Sequence, residues 1–207
     1  MKPGKIFLLD HIFSSITHGI GALLSILALV LLLLLAKDGG VLKITSFAIF
    51  GSSLLLMYLM STLFHGLFFT RAKKLFLIFD RASVFLLIAG TYTPLALLLL
   101  HGWVGISLMT LIWSLAICGI VLNAVAPDRQ KLFTALFLLM GWVGVFLIHP
   151  LLTASSVQQV SLLMLGGILY TSGTVFHNWK KLPFNHTIWH FFVLAGSFCH
   201  FLIIYHL

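Results

Sequence analysis

Asn185-His186-Thr187-Ile188-Trp189-His190 opens the last apolar run of the chain. Two histidines four residues apart share one helix face, about one turn from each other, so both imidazoles can reach one metal ion. An earlier run carries Ser61 and His65 at the same spacing, and the next run carries Asp80 near its start. Three histidines leave one position open on a tetrahedral zinc. An open position marks a catalytic site, where bound water has its pKa lowered to about 7. The residues between His186 and His190 are Thr187, Ile188 and Trp189. The helix therefore supplies no carboxylate base of the kind an H-E-x-x-H metalloprotease uses. Asp80 is the remaining candidate to orient or deprotonate the water. Ser61 could bond Asp80, the water or a substrate carbonyl.

Each of these residues also has a plain structural reading. A lone intramembrane histidine is more often a hydrogen-bonded packing residue than a ligand. H-x-x-x-H arises by chance in a chain with ten histidines. Asp80 beside Arg81 could be an ion pair, and Ser61 could bond back to its own helix. What weakens these readings is convergence, and convergence depends on the elements that carry the residues.

Those elements are membrane helices. Of 207 residues, 61% are hydrophobic and only 8% charged, against about 25% charged in soluble domains. Runs near the roughly 20 residues that cross a bilayer predict seven spans, about 15–36, 44–69, 75–100, 104–125, 132–149, 160–176 and 186–205. The fold class is thus an all-α integral membrane protein, a single seven-helix domain over 1–207. Pro94 should kink the third span, with Thr91 and Thr93 helping to satisfy the freed carbonyls. Pro183 and Asn185 read as a helix start, with Asn185 as N-cap. Cys118 and Cys199 lie inside apolar runs without C-x-x-C spacing and read as packing residues. Asp10-His11 breaks the early apolar stretch, and no signal peptide is expected.

The formal charge is +8, but the cations lie between apolar runs. They read as topology signals and lipid-headgroup contacts, not as a nucleic-acid surface. Lys2, Lys5, Arg71, Lys73, Lys74, Arg129, Lys131, Lys180 and Lys181 fall on one side, and Lys37 and Lys43 on the other. The positive-inside rule then puts the N-terminus in the cytoplasm and the C-terminus outside. With that topology the end of the second span (Ser61, His65), the start of the third (Asp80) and the start of the seventh (His186, His190) share one depth, at the cytoplasmic side. Asp80 is the acidic residue inside an expected span, since Asp10, Asp38 and Asp128 fall in flanks or loops. A carboxylate at that depth is costly unless a cation meets it, directly or through a bound water. His18 could lie near the site as a second-sphere group or headgroup contact. His200 should lie about 20 Å further along the last helix than His186. His11 and His177 read as interfacial, and His101, His149 and His206 fall on the opposite side. Trp103, Trp142 and Trp179 read as belt or packing residues.

Ser61-x-x-x-His65, Phe79-Asp80 and Asn185-His186-x-x-x-His190 together resemble the hemolysin III family. It lies within the progestin and adipoQ receptor group, which includes the adiponectin receptors and is related to alkaline ceramidases. The resemblance extends over nearly the whole chain. It takes in Ser15-Ile16-Thr17-His18-Gly19, Ala89-Gly90-Thr91-Tyr92-Thr93-Pro94, Gly141-Trp142 and the segment from Ile188 to Phe201. It implies seven helices with the N-terminus inside, in a multi-pass protein of the bacterial inner membrane. It also implies zinc on His65, His186 and His190, with Asp80 at the zinc-bound water. Arg81 stands where bacterial relatives usually have histidine, which leaves the ligand set intact and alters the charge around Asp80.

The leading expectation is a zinc-dependent intramembrane hydrolase of a lipid amide or ester, acting on membrane lipid homeostasis with lipid as substrate or ligand. A receptor or regulator of membrane state, with zinc clamping helices two and seven, is the alternative. A cytolytic pore would need faces able to line water, which these spans lack. A transporter should show paired broken segments or an inverted repeat, and neither is evident.

Overall fold

The computed structural model describes residues 3–100 and 102–207; Lys2 and His101 lie outside the described residues. Its helices are α1 (Pro3–Ala36), α2 (Gly40–Gly66), α3 (Lys73–Pro94), α4 (Gly102–Val125), α5 (Gln130–Trp142), α6 (Ile148–Ala154), α7 (Val157–Asn178) and α8 (Asn185–Tyr205). Among the described residues they make seven segments long and apolar enough to cross a membrane, with α5 and α6 forming one. The protein is an all-helical, multi-pass membrane protein. Outward side chains are apolar, as lipid requires: Leu23, Val125 and Phe146 are 69%, 73% and 88% exposed.

Two spans depart from regular α-geometry, each for an identifiable reason. Pro94 has no N–H to offer the Gly90 carbonyl, and the helix relaxes into a π-helical stretch over Leu95–Leu100. Thr91 and Thr93 donate to the carbonyls of Leu87 and Ala89, both at 2.8 Å. They serve the preceding turn and not the Gly90 carbonyl itself. In the fifth span the Tyr92 hydroxyl enters the ladder. It accepts from the Gly144 amide and donates to the Gly141 carbonyl, both at 2.8 Å. The chain tightens to a 3₁₀ turn over Val143–Leu147 between α5 and α6.

One core joins α1, α2 and α8 through Ala22, Phe47, Phe50, Met57, Val193 and Ile204. A second joins α3, α4 and α5 through Phe85, Ala89, Ile112, Ala116, Phe133 and Met140. Close approach depends on small residues, as at Gly119, where an added Cβ would come within 2.3 Å of the Phe85 ring. Between the two cores runs a cavity of about 570 Å³, lined from α1, α2, α3, α5, α7 and α8 but not from α4.

The first span begins at Pro3 and not near residue 15, so Asp10 and His11 are helical. Asp10 is thus an acidic residue inside a membrane helix besides Asp80. Asn185 is the first helical residue of α8 and not its cap. Phe184 precedes it in the left-handed region at φ 56°, and the Asn185 side-chain amide donates to the His177 carbonyl at 2.7 Å. Cys199 is buried as expected, whereas Cys118 is exposed on α4 and faces outward. Trp142 donates to Thr171 at 2.9 Å, while Trp103 and Trp179 are exposed.

Candidate functional site

His65 sits in the last turn of α2, and His186 and His190 in the first two turns of α8. One nitrogen from each lies within 4.8 Å of the other two. His65 and His190 are buried and His186 half-buried. The Nε2 atoms of His65 and His186 are 3.1 Å apart. Tetrahedral bonds of about 2.0–2.1 Å separate neighbouring donor nitrogens by roughly 3.3 Å, so the pair is spaced for a shared ion. This His triad can hold a metal ion.

The surrounding groups set tautomers in its favour. The His190 Nδ1 lies 3.0 Å from the Ser14 carbonyl and 3.2 Å from the Thr17 hydroxyl. A carbonyl only accepts, so Nδ1 carries the proton and Nε2 keeps its lone pair. Thr17 donates its own proton to the carbonyls of Phe13 and Ser14. On the other side, His65 Nδ1 faces His11 Nδ1 at 2.8 Å. With Nε2 kept free for a metal, His65 donates through Nδ1 and His11 accepts. Such contacts to the far nitrogen orient a ligand ring.

Asp80 and Ser61 line the same cavity. Ser61 is buried, and its hydroxyl and the Arg81 guanidinium are the groups that act on the Asp80 carboxylate. Asp80 is not one of the close donor set, which holds three histidines. It shares the cavity wall with His186 and His190.

Several site residues were not anticipated. His11 stacks on Phe68 with ring centroids 3.6 Å apart and holds His65. The His177 ring stands edge-on to His186 at 4.8 Å, and its Nε2 lies 3.0 Å from the Gln130 side-chain amide. Both belong to the cluster and are not simple interfacial residues. His18, expected near the site or at a headgroup, takes the first of these places: it is 2% exposed and stacks on His190 at 3.4 Å. Asp10 Oδ1 accepts from the Thr187 amide at 3.0 Å and its hydroxyl at 2.6 Å. It thereby satisfies the open N-terminus of α8 from α1. A sequence signal for this wall exists, because Asp10, Ser14, Thr17 and His18 recur on one helix face. His200 is on the deep part of the cavity wall, apart from the triad.

Comparison with known proteins gives the family. A family model described as "Haemolysin-III related" matches residues 8–201. The chain is 47% identical over 190 residues to "Hemolysin-3 homolog" of Bacillus subtilis (strain 168), covering 91% of this chain and 89% of that one. It is 44% identical over 193 residues to "Hemolysin-3" of Bacillus cereus, covering 92% and 88%. A more distant similarity, 27% over 202 residues and 95% and 83% of the two chains, links it to human "Monocyte to macrophage differentiation factor". With the model spanning nearly the entire sequence and both Bacillus proteins matching about nine-tenths of it, the chain belongs to the haemolysin-III related family.

Proposed function

We propose that the protein is a zinc-dependent hydrolase of a lipid amide or ester in the bacterial inner membrane, with its site at the cytoplasmic side. The observation that carries this reading is that two of the three histidines, His186 and His190, line a cavity that also takes in Asp80 and Ser61 and is otherwise largely apolar. Its volume, about 570 Å³, is within the roughly 300–1,000 Å³ of small-molecule sites. An amphiphile fits such a space, with its acyl chain among Leu87, Leu95, Phe137 and Met164 and its carbonyl at the histidines.

A bound zinc supplies Lewis acidity and a water acidified to a pKa of about 7. The chain supplies the rest. Ser14 and His11 hold the ligand rings in orientation. Asp80 takes the proton from the attacking water and returns it to the leaving amine or alcohol, steadied by Ser61. Water adds its OH to the carbonyl carbon and its H to the leaving atom as the acyl bond breaks. The products are a fatty acid and an amine or alcohol.

The test is fatty-acid release by purified protein across a panel of lipid amides and esters. Asp80→Asn should retain zinc and lose activity by roughly 10²–10⁴-fold. Absence of metal-dependent turnover across the panel would overturn the reading. It would favour a receptor-type regulator, in which a metal on the triad clamps α2 to α8. The names of the two Bacillus relatives denote haemolysis. Here any lysis would follow indirectly, through altered lipids.

A further inference from the structure

At its polar end the cavity is bordered by two cations from different parts of the chain, Arg81 on α3 and Lys180 after α7. Arg81 is half-buried. One Nη donates to the Pro127 carbonyl, and the guanidinium lies over the Phe133 ring, 5.6 Å from its centroid. These contacts fix the plane of the fork and leave most of its five N–H donors uncommitted. Lys180 donates to the His177 carbonyl at 2.9 Å. Burial lowers its pKa from the ordinary lysine value, and Asp10 opposes that shift.

Neither cation is neutralised at contact. Among the described residues the ion pair within 4.0 Å is Lys37–Asp38, at the other end of the bundle. Asp80 and Asp128 influence Arg81, and Asp10 influences Lys180, but none reaches pairing distance. A partly desolvated guanidinium without a carboxylate partner is unfavourable unless something anionic completes it, and its fork matches phosphate and carboxylate geometry. A divalent ion on the neighbouring triad would add further positive charge.

We infer that Arg81 and Lys180 form an anion site at the cavity mouth, taking the phosphate or carboxylate headgroup of a single-chain amphiphile whose tail occupies the apolar body. This rests on the amphiphile reading of the cavity above and narrows it to acidic lipids. Headgroup and tail would then occupy the same cavity that His186 and His190 line.

Binding, not turnover, tests it, so the result stands apart from any failure to find hydrolysis. Purified full-length protein in neutral detergent is titrated with oleoyl lysophosphatidic acid and with uncharged monooleoylglycerol, which carry the same tail. Wild type should bind the acidic probe at least tenfold more tightly. Arg81→Gln/Lys180→Gln should lose that preference while binding monooleoylglycerol as before, which shows an intact cavity. Arg81→Lys should recover part of it, and Lys74→Gln, an exposed lysine outside the lining, should leave it unchanged. Inorganic phosphate that displaces the acidic probe would assign the site to a soluble anion. Failure to displace it assigns the site to a lipid headgroup. Equal affinity for the two probes in wild type, or a preference that survives in the double variant, would overturn the anion site.

Discussion

His11 and His65 face each other through their Nδ1 atoms at 2.8 Å, a contact between the first helix and the end of the second. His11 is fixed in turn by its stack on Phe68. The first helix therefore controls how a ligand ring on the second is aimed. His11→Phe keeps an aromatic ring against Phe68 but removes the nitrogen. Metal affinity, measured by competition with a chromogenic chelator, should fall about 10–100-fold with little change in thermal stability. Unchanged affinity would show that His65 is held by its helix alone.

The triad predicts a stoichiometry. Elemental analysis of protein purified without chelators should find about one zinc per chain, lost in His65→Ala, His186→Ala and His190→Ala. Wild type free of metal would remove the basis of the hydrolase proposal and leave a cluster of packed histidines.

Asp10 holds the start of α8 in place. Asp10→Ala leaves the Thr187 amide and hydroxyl without their acceptor. The expected destabilisation is about 1–2 kcal/mol, read as a lower midpoint in thermal unfolding in detergent. Metal should also bind more weakly, because His186 and His190 flank that turn. Asp10→Asn, which keeps an acceptor oxygen, should recover part of both.

Orientation in the bilayer can be read by thiol labelling of intact cells. In a background with Cys118 and Cys199 replaced by serine, Gly39→Cys should react with a membrane-impermeant maleimide, and Arg71→Cys only after permeabilisation. The reverse pattern would place the histidine site at the external face.

Much of this architecture is legible in the sequence because a bilayer leaves few choices. Runs of apolar residues become helices, and lysines and arginines mark one set of ends. From these alone His65, Asp80, His186 and His190 fall at one depth, and the structure brings the three histidines to one point. The wall supplied by α1 was less legible. Hydropathy locates the lipid-embedded part of a helix and stops at Asp10-His11, although the helix runs on through them to Pro3. The partners of those residues are up to 177 positions away, and no local pattern reports such a pairing. The break at Gly144 is equally remote in origin, since the Tyr92 hydroxyl that causes it belongs to another helix.

The 34 residues of α1 span about 51 Å, well beyond a hydrocarbon core of about 30 Å. Its surplus lies where the last helix begins, and the contacts that orient His190 join residues 173 to 176 positions apart. During synthesis the nascent chain therefore displays half a site. His65 and the His11 that orients it emerge early, and the other two histidines of the triad arrive only when α8 has been made. A metal ion on the triad would then join α2 to α8, with α1 held to that junction through Ser14, Thr17 and His11. A product ending before α8 would insert six spans and still lack the clasp.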